Sequence, residues 1–348
     1  MENKEKIVIN PVGLVNLSRY QYINGYKKIK KYNLFNSCYI NASIQCLFRF
    51  DEFIKKLMQC NQYKGDLVEA TKNLISNMQK PINKNYNQCT VKEIKEAMAK
   101  KDEIYYDDNQ EDANNFIANY LNNLIEETQD NTILNWNYKI EDEKYFYKFF
   151  QKFIKKKGNS FILDLFYGLL RTEKYCKNCE QIFSIKFNSF NILELPISQK
   201  DAFDDEKIDM HFILENFISS KKLEDDKCTK CNRSTRIKTS INSLPKCLII
   251  NFIYNDSKNP TNKISPALSF NFGDYIYDKD LNEGNNYIYH LKGIIFYSNY
   301  SSNCGHFKAA CLGNDKKWYY FDDNRISSEK NLLSINGIDN PKFLFYEK

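Results

Sequence analysis

From Cys38 onward, apolar residues fall at Ile40, Ile44, Leu47 and Phe48, the spacing of one helical face. Ser37 stands where an N-cap belongs, so the predicted helix begins at Cys38 and holds that thiol in its first turn. Segments 66–79 and 91–99 also read as helices. Segment 110–127 is the clearest, with Ala113, Phe116, Ile117, Tyr120, Leu121 and Leu124 on one face. After about residue 160 the pattern changes. Runs rich in Ile, Phe, Leu and Tyr alternate with turn residues at 183–195, 233–241, 246–254, 287–297, 306–312 and 317–322, and these predict strands. Helices first and strands later predict an α+β chain. Residues 1–31 are polar and basic and read as an extension or loop.

Composition narrows the function classes. A chain of 348 residues is two domains or one elaborated one, and 42% hydrophobic residues suffice for a sizeable core. The net charge of +6 comes from 50 basic and 44 acidic residues spread along the chain, without the concentrated stripe that nucleic-acid binding needs. The densest basic run, Lys27-Lys28-Ile29-Lys30-Lys31, reads as a solvated face or loop. The start, Met1 to Lys6, is charged and shows no secretory h-region. No apolar run approaches the roughly 20 residues of a membrane span. Eleven cysteines, an odd number, fit a reducing compartment, cytoplasmic or nuclear, where thiols serve metal binding and catalysis.

Four of those thiols have metal-ligand spacing. Cys176-Lys177-Asn178-Cys179 and Cys228-Thr229-Lys230-Cys231 are two C-x-x-C pairs, and each such turn points two thiolates at one centre. Two pairs complete a tetrahedral, structural Zn²⁺ site with no open position. Their neighbours are polar, unlike those of ordinary buried cysteines. A redox C-x-x-C is the lesser alternative. The flanking Lys227, Lys230, Arg233 and Arg236 raise a nucleic-acid reading, which Glu224, Asp225 and Asp226 blunt.

The chain has three histidines. His290 sits in an alternating strand pattern and His211 precedes an apolar helical segment, so both read as structural. His306 follows Cys304-Gly305, and downstream Trp318 to Phe321 form an aromatic strand ending in Asp322-Asp323. A Cys–His pair oriented by a carboxylate is the logic of activated thiol catalysis, and a helix N-terminus favours the thiolate. Spacing alone leaves other pairings open among so many cysteines.

Five segments then carry a resemblance. Asn33-Leu34-Phe35-Asn36-Ser37-Cys38-Tyr39-Ile40-Asn41-Ala42-Ser43-Ile44-Gln45-Cys46-Leu47 resembles the cysteine box of the ubiquitin-specific proteases. Gln110-Glu111-Asp112-Ala113-Asn114-Asn115-Phe116 is similar to that family's Gln-x-Asp-Ala-x-Glu-Phe helix. The two C-x-x-C pairs stand where its fingers carry zinc, and Leu244 to Phe252 resembles its Leu-Pro strand. Gly293 through Phe307, then Trp318 to Asp323, resembles its histidine box. The matches run in family order from about residue 33 to 326.

The resemblance implies a papain-like cysteine protease with thumb, palm and fingers. Residues 1–12 would be an N-terminal tail and 13–348 the catalytic domain, with the thumb at about 33–130 and fingers and palm interleaved over about 160–348. It implies Cys38 as nucleophile, His306 as base, Asp322 as the orienting carboxylate with Asp323 assisting or substituting, and Asn33 as oxyanion donor. Gln110, Asp112 and Asn114 would contact the tail of ubiquitin, Asp112 holding its arginine-bearing part. Cys176, Cys179, Cys228 and Cys231 would hold structural zinc. Ubiquitin, polyubiquitin and ubiquitinated proteins are the implied partners, with no membrane and no nucleic acid. The implied reaction is thiol-dependent hydrolysis of the bond at ubiquitin's terminal Gly. The alternatives are a catalytically weak ubiquitin-binding scaffold and a protease for another ubiquitin-like modifier.

The sequence departs from the family in places. Lys30-Lys31 replaces a Gly-Leu, which occurs earlier in Gly13-Leu14-Val15-Asn16-Leu17, as though an insertion separated the two halves. Phe35 replaces a Gly, Asn115 a Glu, and Tyr297-Ser298-Asn299 a His-Ser-Gly.

Overall fold

A computed structural model describes residues 7–15, 20–23, 26–29, 36–59, 62–80, 89–107, 109–129, 153, 158–197, 208–254, 264–277, 287–301, 304–329 and 341–348. In chain order the elements are β1 (Tyr20–Ile23), β2 (Tyr26–Ile29), α1 (Cys38–Leu47), α2 (Asp51–Gln59), α3 (Asp66–Gln79), α4 (Lys92–Ala99) and α5 (Ala113–Glu127). Then follow α6 (Phe161–Phe166), β3 (Gly168–Cys176), β4 (Gln181–Phe190), β5 (Leu193–Ile197), α7 (Met210–Ile218), β6 (Lys221–Lys227), β7 (Ser234–Ser243) and β8 (Cys247–Tyr254). The chain closes with β9 (Ser269–Asn271), β10 (Ile288–Ser301), β11 (Cys304–Leu312), β12 (Trp318–Asp322), β13 (Arg325–Glu329) and β14 (Pro341–Glu347).

The chain divides into two compact units, residues 1–130 with 291–345 and residues 131–290 with 346–348. In the first, the helices pack with strands in the order β13-β12-β11-β10-β14. Each of the ten residues of α1 is buried, polar ones included. Those polar groups find partners: Ser43 Oγ donates to Tyr39 O at 2.7 Å, and Gln45 Nε2 to Val12 O at 2.7 Å. Arg49 Nη1 donates to Ile9 O at 3.1 Å. These bonds draw the preceding segment into the core, where Ile9, Val12 and Leu14 are buried. Residues 9–14 are therefore packed structure, which corrects the reading of 1–12 as a tail. The paired strands β1 and β2 correct the reading of 1–31 as extension or loop.

In the second unit, β5 and β8 pair in parallel, and β9 pairs with Ile288, Tyr289 and His290 at the start of β10. A separate four-stranded antiparallel sheet runs β4-β3-β7-β6. Its strands are only half covered: β4 alternates with few buried positions and β6 has none. β6, with sequence KKLEDDK, carries no apolar alternation, so the pattern of side chains did not announce it.

The predicted helix 66–79 matches α3 and 91–99 matches α4 to a residue. Helix 110–127 starts later, at Ala113, because the Asp112 carboxylate caps it. Strands β3, β13 and β14 were not foreseen.

Candidate active site

Cys38 opens α1 and is 3% exposed. An anionic sulfur, or an oxyanion developing beside it, lies where the first-turn N–H groups and the helix dipole stabilise negative charge. Ser37 occupies the N-cap position, but its side chain makes no capping bond, which corrects the role expected for it. Asn36 takes φ 54, a left-handed conformation that Asn tolerates, and so turns the chain into the helix. Asn33 and Phe35 lie outside the described residues.

β11 brings His306 and β12 brings Asp322. The two strands pair antiparallel, with Ala309 opposite Phe321, so the histidine and the carboxylate are diagonal neighbours. His306 Nε2 lies 2.6 Å from Asp322 Oδ1, the side chains being 19% and 34% exposed. With Nε2 facing the carboxylate, Nδ1 is the nitrogen left for the thiol. The His306 pKa is pushed up to about 9, chiefly by its hydrogen bond with the Cys38 sulfur. Burial opposes that rise, while the Asp322 hydrogen bond and the charges of Cys38 and Asp323 support it. Cys38, His306 and Asp322, far apart in sequence, are thus brought into one constellation.

Asp323 adopts φ 53, and its Oδ1 accepts from Asn41 Nδ2 at 2.8 Å. Its carbonyl accepts from Leu14 N–H at 3.1 Å. Gly13 packs against the next residue, so that an added Cβ would stand 2.6 Å from Asn324 O. Hence the early Gly-Leu, displaced from the cysteine box in sequence, sits against the carboxylate turn in space. The sequence reading gave Asn41 no role, although its position one turn after Cys38 was the available signal.

Gln110 Oε1 accepts from Gly305 N–H at 3.0 Å, which ties the segment before α5 to the strand that carries His306. At Gly305 a Cβ would lie 2.0 Å from the Tyr297 hydroxyl, so a side chain there would displace Tyr297, which packs on Phe307 with ring centroids 4.7 Å apart. Asp112 is exposed and caps α5, accepting from Asn114 N–H at 2.7 Å; Asn114 is half-buried. Burial, then the nearby Asp107, Asp102 and Asp112, push the Glu111 carboxyl up, while Lys95 opposes. Fully buried Lys95 donates to Asp107 O at 3.1 Å and steadies this acidic stretch. An excess of carboxylates beside β11 suits a cationic ligand segment.

In the second unit, Cys176, Cys179, Cys228 and Cys231 converge, their sulfurs all within 4.8 Å of one another. The Cys176–Cys231 and Cys179–Cys228 separations are 3.6 and 4.0 Å. Four sulfurs about 2.3 Å from one Zn²⁺ in a tetrahedron stand about 3.8 Å apart, so the cluster fits such an ion. The residue after each pair, Glu180 (φ 53) or Asn232 (φ 55), is left-handed and reverses the chain to aim both thiols one way. His211 is occupied elsewhere: its Nδ1 meets the Tyr275 hydroxyl at 2.6 Å. His290 is an exposed position of β10, paired with Ser269.

Known proteins are similar to this chain in sequence and in fold. The family model described as ubiquitin carboxyl-terminal hydrolase matches residues 29–346. The chain is 27% identical over 341 residues to ubiquitin carboxyl-terminal hydrolase Usp2 of Drosophila melanogaster, covering 91% of this chain and 34% of that protein. To human ubiquitin carboxyl-terminal hydrolase 2 it is 25% identical over 320 residues, 85% of this chain and 51% of that protein. It therefore spans between a third and about half of these relatives. Among solved structures, a chain of the SAGA Ubp8/Sgf11/Sus1/Sgf73 DUB module bound to ubiquitin aldehyde superposes with a TM-score of 0.69 at 18% identity, covering 100% of this chain and 71% of that one. That likeness shows the same mixed helix–sheet fold. With the cysteine, histidine and carboxylate assembled as described and the family match spanning nearly its full length, this chain belongs to the ubiquitin carboxyl-terminal hydrolase family, whose ubiquitin-specific proteases its sequence boxes resemble.

Proposed function

We propose that this protein is a thiol-dependent deubiquitinase that hydrolyses the peptide or isopeptide bond at the terminal Gly of ubiquitin. One observation carries the reading: Asp322 holds His306 Nε2 at 2.6 Å, and a hydrogen bond with the Cys38 sulfur is the main cause that raises the imidazole's pKa. His306 takes the thiol proton, and the Cys38 sulfur attacks the carbonyl carbon of the scissile bond. The tetrahedral oxyanion is stabilised by N–H groups at the start of α1, with Asn33 proposed as a side-chain donor. The imidazolium protonates the leaving lysine amine as the C–N bond breaks, leaving a thioester on Cys38. His306 then accepts a proton from water, the hydroxyl adds to the thioester, and ubiquitin leaves with a carboxylate as the thiol is restored.

Asp112, with Gln110 and Asn114 beside it, is the proposed contact for the arginine-bearing tail of ubiquitin. The cap bond to Asn114 orients the Asp112 carboxylate. The four cysteines would hold Zn²⁺, which cross-links the turns that end β3 and precede β7 and takes no part in bond cleavage. Ubiquitin carrying a C-terminal electrophile tests the catalytic reading. Wild-type protein should form a covalent adduct that Cys38→Ala abolishes; an unreactive wild type, or an adduct retained by Cys38→Ala, overturns the assignment. The same probe built on other ubiquitin-like modifiers measures selectivity.

A further inference from the structure

We infer that Asn41 is a positioning residue for the reaction, the tie that sets the nucleophile helix against the carboxylate turn and fixes which of two adjacent aspartates serves His306. The inference rests on the deubiquitinase reading above and assigns a residue that reading does not use.

Asn41 lies one turn after Cys38 on α1 and is 3% exposed. Both its amide protons are committed in different directions. One goes to Leu14 O at 3.2 Å and the other to Asp323 Oδ1 at 2.8 Å. A carbonyl and a carboxylate are both acceptors, so only the amide nitrogen suits this place; the flipped amide would oppose oxygen to oxygen twice. Asn41 Oδ1, meanwhile, is buried without a hydrogen-bond partner. A group buried in that state opposes folding, so the residue serves the two bonds its nitrogen makes rather than local satisfaction.

Those two bonds close a ring around the catalytic carboxylates. Leu14 donates its own N–H to Asp323 O while Leu14 O accepts from Asn41. The lead-in segment, the helix and the β12 turn are thereby joined at a single side chain. The ring nitrogen of His306 and carboxylate oxygens of Asp322 and Asp323 all lie within 4.8 Å of one another. Two carboxylates therefore stand within reach of one imidazole, and Asp322 makes the 2.6 Å bond. The Asn41 amide draws Asp323 toward α1, leaving Asp322 to orient the ring. Among the described residues, His306 and Asp322 bring charged groups within 4.8 Å of Asp323, and the uncharged amide of Asn41 meets it from the helix side.

The test measures the second-order rate of adduct formation with electrophile-bearing ubiquitin from pH 6 to 9 in the full chain. Asn41→Ala should slow it by about 10–100-fold. Asn41→Asp sets a third carboxyl against Leu14 O and Asp323, which is tolerable only when one of them is protonated. Its deficit relative to Asn41→Ala should therefore deepen as pH rises. A merely structural residue would lower thermal stability without this change in pH profile. Should the Asn41 variants not fold, the same bond is reached from its other end. Asp323→Asn and Asp323→Gly both accept the left-handed backbone, but only the first keeps an acceptor for Asn41, so Asp323→Gly should react at least about tenfold more slowly. Equal rates for that pair, or folded Asn41 variants with the wild-type rate and pH profile, overturn the inference. A wild type that forms no adduct fails the deubiquitinase reading instead, and the two failures are distinct.

Discussion

The two units hold their key residues by different means. In the first, Cys38 and His306 come from α1 and β11, elements whose facing residues are almost all buried: Ile40, Ile44, Leu47, Ala309, Ala310 and Cys311 among them. Gly293, opposite Cys311 in β10, leaves room for the Cys46 side chain, whose sulfur also lies 3.7 Å from that of Cys311. In the second unit, the β4-β3-β7-β6 sheet is half exposed and ends in the four-cysteine cluster. Apolar packing fixes the constellation of Cys38, His306 and Asp322, because a close-packed interior leaves side chains few alternatives. The thin sheet lacks that constraint, and a metal held by the four convergent thiols would supply a local one. Precision at the first site thus depends on core volume, and order at the second on ligand chemistry.

Breaking each support separately sharpens the contrast. The largest effect is expected at Cys38, the proposed nucleophile: Cys38→Ala should abolish ubiquitin-probe labelling entirely, read on a gel. Asp322→Asn should follow, slowing labelling by about 10²–10⁴-fold through loss of the imidazole's tautomer and orientation, with ubiquitin affinity by titration little changed. Chelator treatment, or Cys228→Ser, should open residues 168–243 to proteolysis while α1 and β11 stay protected from hydrogen exchange. Loss of protection in both places at once would mean that the two regions do not fail independently.

In the first unit, Gly293→Ala should cost about 1–3 kcal/mol, measured by denaturant unfolding, because the new methyl would lie 2.9 Å from Cys46 Sγ. An effect of similar size concerns pH. His306 binds its proton more tightly in the folded chain, at about 9 against 6.5 for the ordinary imidazole. Its stabilisation, on the order of 3 kcal/mol, is complete below pH 6.5 and is lost as pH rises through about 9. Melting temperature should therefore fall across that window, and Cys38→Ala, which removes the main cause of the shift, should flatten the fall.

Legibility followed the physics of each signal. The 3.6-residue repeats gave α3 and α4 nearly to the residue, since a buried helical face is written into local sequence. The strand KKLEDDK of β6 was invisible, because its pairing with β7 is made by backbone groups that every sequence carries. Among site residues, the cysteine pairs announced themselves by spacing, whereas Gln110 was read as a tail contact and is also found holding Gly305. Gly13-Leu14 looked misplaced because sequence order hides that the two halves of a motif can meet around an insertion.

What the sequence alone determined was the inventory: a thiol at a helix start, one histidine behind a glycine, paired aspartates after an aromatic strand, and four cysteines in two turns. These follow from chemistry and short-range spacing. Tertiary structure decided the choices between equivalents: Asp322 rather than Asp323 on the imidazole, a capping bond at Asp112 but none at Ser37, and Asn41 rather than any other amide across the gap. Such choices turn on differences of an ångström or so between groups remote in sequence, which only the packed chain sets.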